Sequence, residues 1–156
     1  MMARISLFSN NLPDSFIVER NGFGDIAEIV TDTDRGDATF DWTGSSMAFG
    51  KTGQLRRAVA PIGFVLHIAT FDNFRIHGKF FDGIIEPEVK ARVLEESTFL
   101  LEKGLIDPNH FSFRSTKFPE LFIRHRDSML FAEKVETPDD FQSATFRRAL
   151  PHVPQG

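Results

Sequence analysis

The chain has 156 residues, 41% of them hydrophobic and 26% charged, which suits one domain with a substantial core. Its net charge of −4 argues against nucleic acid, whose binders present a basic face. The absence of cysteine excludes disulfides, thiol nucleophiles and thiolate-ligated metals. Eighteen phenylalanines beside one tryptophan and no tyrosine predict a core built on one aromatic type, with no ring hydroxyl to satisfy.

The opening MMARISLFSNNLPDSF lacks the apolar run of about 7–15 residues that marks a secretory signal. No apolar window approaches the roughly 18 residues of a membrane span. As written, the sequence predicts a soluble, cytoplasmic chain with no membrane association.

Short β-branched or aromatic segments follow in order: SLFS (6–9), FIVER (16–20), FVLHI (64–68), FRIHG (74–78), FSFRS (111–115) and FIRHR (122–126). They read as strands. Turn formers punctuate them at Asn10-Asn11, Pro13-Asp14, Asn21-Gly22, Asp82-Gly83 and Asp107-Pro108-Asn109. TDTDRGD (31–37) is acidic enough to suggest calcium. Counted from Asp32, however, the sixth place is Asp37 and the twelfth Thr43, where an EF-hand needs Gly and Glu. An acidic turn loop is expected there. VKARVLEESTFLLEKGL (89–105) has helix-friendly composition, with Gly104 as a C-cap. The repeat register described next instead predicts strand and loop.

Two phrases recur. NLPDSFIVER (11–20) and KFPELFIRHR (117–126) share a Pro, an acid, Phe-Ile and a closing Arg. DATF (37–40), ESTF (96–99) and SATF (143–146) share Thr-Phe. FDNFRIHGK (71–79) fits loosely as a middle copy of the first phrase, with His77 where Glu19 and His125 stand. Glu19 to Phe40 is then 21 residues, His77 to Phe99 is 22, and His125 to Phe146 is 21. Three copies of several short strands predict an all-β fold, a single β-trefoil domain over 1–156 with pseudo-threefold symmetry and about four strands per repeat. The repeats fall at about 4–56, 57–108 and 109–153.

FPELFIRHR followed by SATFRR, and LPDSFIVER followed by DATFDW, resemble the arabinose-binding β-trefoil domain of α-L-arabinofuranosidase B. The resemblance implies a non-catalytic carbohydrate-binding module for arabinofuranosyl side chains, without a cofactor. It also implies that the His of the first phrase and the acid of the second converge on sugar hydroxyls, as carboxylates and imidazoles can. Carried over, these roles fall on His77 with Glu96, on His125 opposite Ser143, and on Asp37 opposite Glu19; the second repeat is the expected sugar site, with Glu96 as acceptor and His77 as its partner, while Asp37 and Glu19 are two carboxylates expected to repel. No repeat holds both family residues, and Phe16 and Phe122 replace family tyrosines. The alternative is a trefoil that has lost its sugar sites and serves a protein partner. No nucleophile elbow, P-loop, dinucleotide fingerprint or HExxH occurs, so no enzyme is predicted.

Overall fold

The computed structural model describes residues 2–44 and 46–155, an all-β fold with three short α-helices and two single 3-10 turns among the described residues. The first third comprises β1 (Ala3–Ser9), β2 (Ser15–Arg20), β3 (Phe23–Glu28), α1 (Asp32–Asp37), β4 (Phe40–Trp42) and the two-residue β5 (Thr52–Gly53). The second runs through β6 (Leu55–Arg57), β7 (Phe64–Ala69), β8 (Arg75–Phe80), α2 (Pro87–Ser97) and β9 (Phe99–Lys103). The third repeats the pattern with β10 (Phe111–Ser115), β11 (Phe122–Arg126), β12 (Met129–Glu133), α3 (Pro138–Ser143) and β13 (Phe146–Ala149).

All described strands belong to one hydrogen-bonded sheet. The outer strands of each third join edge to edge: β1 pairs with β4 and β13, β4 with β6, β5 with β9, and β10 with β9 and β13. The three inner hairpins, β2–β3, β7–β8 and β11–β12, meet one another through single rungs at Phe23↔His77, Arg75↔Phe131 and Met129↔Asp25. These rungs define which residues of the three hairpins correspond. Two of the turns, Asn21-Gly22 and Asp127-Ser128, have both residues at positive φ, the two-residue geometry that matches strand twist. The β7–β8 connection is longer but ends in the same way, at Asn73-Phe74. The carbonyls of Gly22, Phe74 and Ser128 accept from the amides of Gly78, Ala132 and Ile26 respectively. The correspondence therefore holds in the turns as well as in the strands.

The phenylalanine usage has its counterpart at the centre. Phe40, Phe99 and Phe146, the last letters of DATF, ESTF and SATF, are fully buried in one core with Trp42, Phe113 and the aliphatic residues of the hairpins. Their cross-strand partners are Arg57, Ser115 and Ser9.

Two expectations are corrected here. TDTDRGD is a short helix rather than a turn loop, because Thr31 caps the Asp34 amide while the Asp34 carboxylate returns to the Thr31 amide. Thr137 and Asp140 build the same box on α3. Within 89–105, residues up to Ser97 are helical and Phe99 onward is strand. Pro87 starts α2, and Val93 anchors it on Val65 and Ile84 in a second small core. Among the described residues no helix is long and apolar enough to cross a membrane.

Phe99→Ala should cost roughly 3–5 kcal/mol, because a large ring leaves a layer that cannot collapse around the hole. Urea unfolding followed by tryptophan fluorescence reads this directly, since Trp42 lies in the same core.

Candidate functional site

The inter-hairpin rungs make Phe23, Arg75 and Met129 correspond, and likewise Asp25, His77 and Phe131. Moving across each hairpin, Glu19 pairs with Gly24, Ile68 with Ile76, and His125 with Leu130. The position of Glu19 and His125 is therefore filled by Ile68 in the second third. His77 lies on the outgoing strand of its hairpin, where Asp25 and Phe131 stand. The matching interval from His77 arose by coincidence. Ile68 to Phe99 spans 31 residues, because this hairpin turn is longer and α2 has 11 residues where α1 and α3 have 6.

The second third brings together a different pair. His67 Nδ1 lies 3.3 Å from Glu96 Oε1, and both side chains are buried. His77 instead bonds Asp72 at 2.8 Å, with its ring edge-on to Phe23 and Phe71. Burial lowers the pKa of His67 to about 4 and raises that of Glu96, so the neutral imidazole is the form present at pH 7.

In the last third His125 is buried with Nε2 2.7 Å from Ser9 Oγ and 3.1 Å from Asn11 Oδ1. Burial again takes its pKa to about 4. Ser143, the counterpart of Asp37 and Glu96, accepts from Arg124 Nε at 3.2 Å and donates to the Asp140 carbonyl. The side chains of His125 and Ser143 thus have separate partners, although Arg124 Nε also donates to the His125 carbonyl.

The first third carries the densest charge cluster. Arg57, at the threefold counterpart of Ser115 and Ser9, is 5% exposed and lies between Glu19 and Asp37, which are 2% and 4% exposed. Its Nη1 donates to Asp37 Oδ1 at 2.6 Å and to the Glu19 carbonyl at 2.7 Å, and reaches Glu19 Oε1 at 3.5 Å. Nε and Nη2 hold the Val59 and Ala60 carbonyls. Arg20 then ties Asp37 Oδ2 and Asp34 Oδ1, each at 2.8 Å. The carboxylates of Glu19 and Asp37, which would repel one another, are therefore bridged by a guanidinium from β6. Sequence reading missed Arg57 because it lies beyond both repeated phrases. Burial pushes the Glu19 carboxyl upward, opposed by the Gly22 amide at 2.9 Å and by Arg57. The side chain fits because residue 78 is glycine: a Cβ there would stand 2.6 Å from Glu19 Cγ.

Beside this cluster opens a cavity of about 570 Å³, lined by Glu19, Arg20, Asn21, Gly22, Thr33, Asp37, Arg57, Ala60, Pro61 and Phe64. It combines acceptors, guanidinium groups and one aromatic wall, the inventory of a site for a small polar ligand with an apolar face.

Arg57→Met should destabilise the fold by roughly 3–5 kcal/mol, since it removes the cation between two buried carboxylates and leaves Glu19 with no ion-pair partner among the described residues. Urea titration at pH 7 measures the loss, and adding Glu19→Gln should recover part of it. The buried histidines set an acid limit. An unfolded histidine titrates near 6.5 while His67 and His125 titrate at about 4, so between those values only the unfolded state takes up the proton. Their contribution is whole above about pH 6.5 and falls as pH drops toward 4, whereas Glu19 and Glu96 act oppositely. His125→Asn should therefore flatten the decline in unfolding free energy between pH 6 and 4.5, by up to about 1.4 kcal/mol per pH unit, in parallel urea titrations.

Comparison with known proteins places this arrangement. No curated protein matches the chain. An arabinofuranosidase complexed with arabinofuranosyl-α-1,2-xylobiose has a similar fold at 18% identity and TM-score 0.75, over 97% of this chain and 31% of that one. A BEL β-trefoil in an apo crystal form gives TM-score 0.65 at 12% identity, covering 93% of this chain and 90% of that one. A Polyporus squamosus lectin bound to a Neu5Ac-containing epitope gives TM-score 0.62 at 12% identity, over 94% of this chain and 48% of that one. The chain thus spans about a third of the arabinofuranosidase it matches. The family model described as the α-L-arabinofuranosidase B (ABFB) domain matches residues 69–151, and with more than half of its length matched, this chain belongs to that family.

Proposed function

We propose that this domain is a non-catalytic carbohydrate-binding module of β-trefoil build, its three repeats running over about 4–56, 57–108 and 109–153 within one domain. It holds a sugar in the cavity of the first third. The observation that carries this reading is the opening of that cavity onto a buried Glu19–Arg57–Asp37 cluster, with Phe64 on its wall. The sugar-bound arabinofuranosidase and lectin of the same fold support a glycan as the ligand.

The hydrogen-bond inventory selects the kind of sugar. Arg57 directs its N–H groups to Glu19, Asp37 and two backbone carbonyls, and Arg20 binds Asp34 and Asp37. Each carboxylate oxygen keeps lone-pair capacity beyond these bonds, and Arg57 commits nearly all of its N–H groups to them. The pocket therefore favours a ligand that donates, which is what the vicinal hydroxyls of a neutral sugar do. Asp37 is the central acceptor, Glu19 the second, and the Phe64 ring faces the sugar carbons. An acidic sugar brings a further carboxylate to a cluster in which Glu19, Asp37 and Asp34 already outnumber Arg20 and Arg57. Glu96, His77 and His125, which the family resemblance puts forward, stand in the other two thirds.

Titration calorimetry with 4-nitrophenyl α-L-arabinofuranoside, arabinofuranosyl-α-1,2-xylobiose and their neutral and uronic counterparts tests this. Neutral ligands should bind at millimolar concentration or better and uronic acids at least tenfold more weakly, and Asp37→Asn should weaken neutral binding roughly 10- to 100-fold. A panel without heat, or preference for the acidic sugars, overturns the reading.

A further inference from the structure

Two positions recur in each third beside the corresponding residues Glu19, Ile68 and His125. One is the last turn residue of the hairpin, Gly22, Phe74 or Ser128, fixed by the matching carbonyl bonds to Gly78, Ala132 and Ile26. The other is the residue before the repeated proline, Ala60, Phe118 or Leu12. Each of these lies three residues beyond the strand position that opposes the central phenylalanine: Arg57, Ser115 or Ser9.

In the first third both framing residues are small, and both line the cavity that reaches Glu19 and Asp37. In the second they are phenylalanines whose rings meet edge-on at 5.3 Å and pack on the main core. The polar position beneath is the fully buried Ile68. A cavity of about 450 Å³ does lie against the two rings, but its lining includes neither Ile68 nor Glu96. Phe74 takes this place at φ 62°, a conformation costly for a bulky residue and natural to the glycine found at the corresponding position 22. In the last third no carboxylate replaces Asp37, and Ser9 and Asn11 already occupy the His125 Nε2.

We infer that the domain is monovalent, its one sugar site lying in the first third while Phe74 and Phe118 close the second. This inference rests on the carbohydrate-binding reading above. The open site includes Glu19, Asp37 and Arg57, none of which lies in the segment 69–151 that the family model matches. A monovalent domain attaches to a glycan without cross-linking it.

Two measurements test the inference. Calorimetry with arabinofuranosyl-α-1,2-xylobiose should give one site per chain, weakened roughly 10- to 100-fold in Asp37→Asn and unchanged in Glu96→Gln. A stoichiometry of two or three, or binding lost in Glu96→Gln and kept in Asp37→Asn, overturns monovalency while leaving sugar binding intact. Absence of heat from every sugar counts against the carbohydrate-binding reading instead. The second measurement needs no ligand: relaxation of isoleucine methyl signals by the neutral paramagnetic probe gadodiamide. The Ile68 methyls should be as protected as those of Ile17 and Ile123 in the parent. They should gain relaxation in the Phe74→Gly/Phe118→Ala variant while Ile17 and Ile123 do not. Strong relaxation of Ile68 in the parent, or no change in a folded double variant, means that the rings close nothing.

Discussion

Arg57 holds the working part of the molecule together. Through one guanidinium it joins the carboxylate and carbonyl of Glu19, the carboxylate of Asp37 and the carbonyls of Val59 and Ala60. Strand β2, helix α1 and the loop after β6 are thereby fixed around one cation. Without it, two acids buried to this degree would repel, and one would be forced to protonate. With it, both remain as acceptors at the edge of an open cavity. The ion pair is best understood as a device for positioning, since buried pairs seldom contribute much net stability.

Stability comes from the layer beneath. Phe40, Phe99 and Phe146 are fully buried in one core, and the three hairpins meet one another through single rungs. Around this common frame the thirds have diverged both at buried positions, where Glu19, Ile68 and His125 correspond, and at the exposed or half-buried residues around them. Glycine and alanine leave space in one pocket, two phenylalanines fill another, and a histidine satisfied by Ser9 and Asn11 occupies the last. The frame tolerates this because pocket residues lie at strand ends and turns, where a change of side-chain size does not disturb the central packing.

Much of this was legible in the sequence. The Thr-Phe phrases mark the buried layer because a symmetric core asks for the same residue in each copy. The strands are visible in their β-branched and aromatic runs, and Asn21-Gly22 announces its turn. The helices were harder to see. DTDRGD and PDDFQS are too short for a helical period, and their capping boxes appear only once Thr31 and Thr137 are known to start them. In the middle repeat the proper counterpart of Glu19 is Ile68, an apolar residue that no polar motif reveals.

The sequence by itself determined an all-β chain, read from its short β-branched and aromatic runs, and its repeated phrases carry the resemblance to the family to which it belongs. Only the tertiary structure decided which pocket is open, that Arg57 reconciles Glu19 with Asp37, and that His67 rather than His77 faces Glu96. Those outcomes depend on strand register and on side-chain volumes meeting across segments far apart in the chain. A one-residue shift in register turns a side chain to the opposite face of the sheet, and spacing along the sequence carries no record of it.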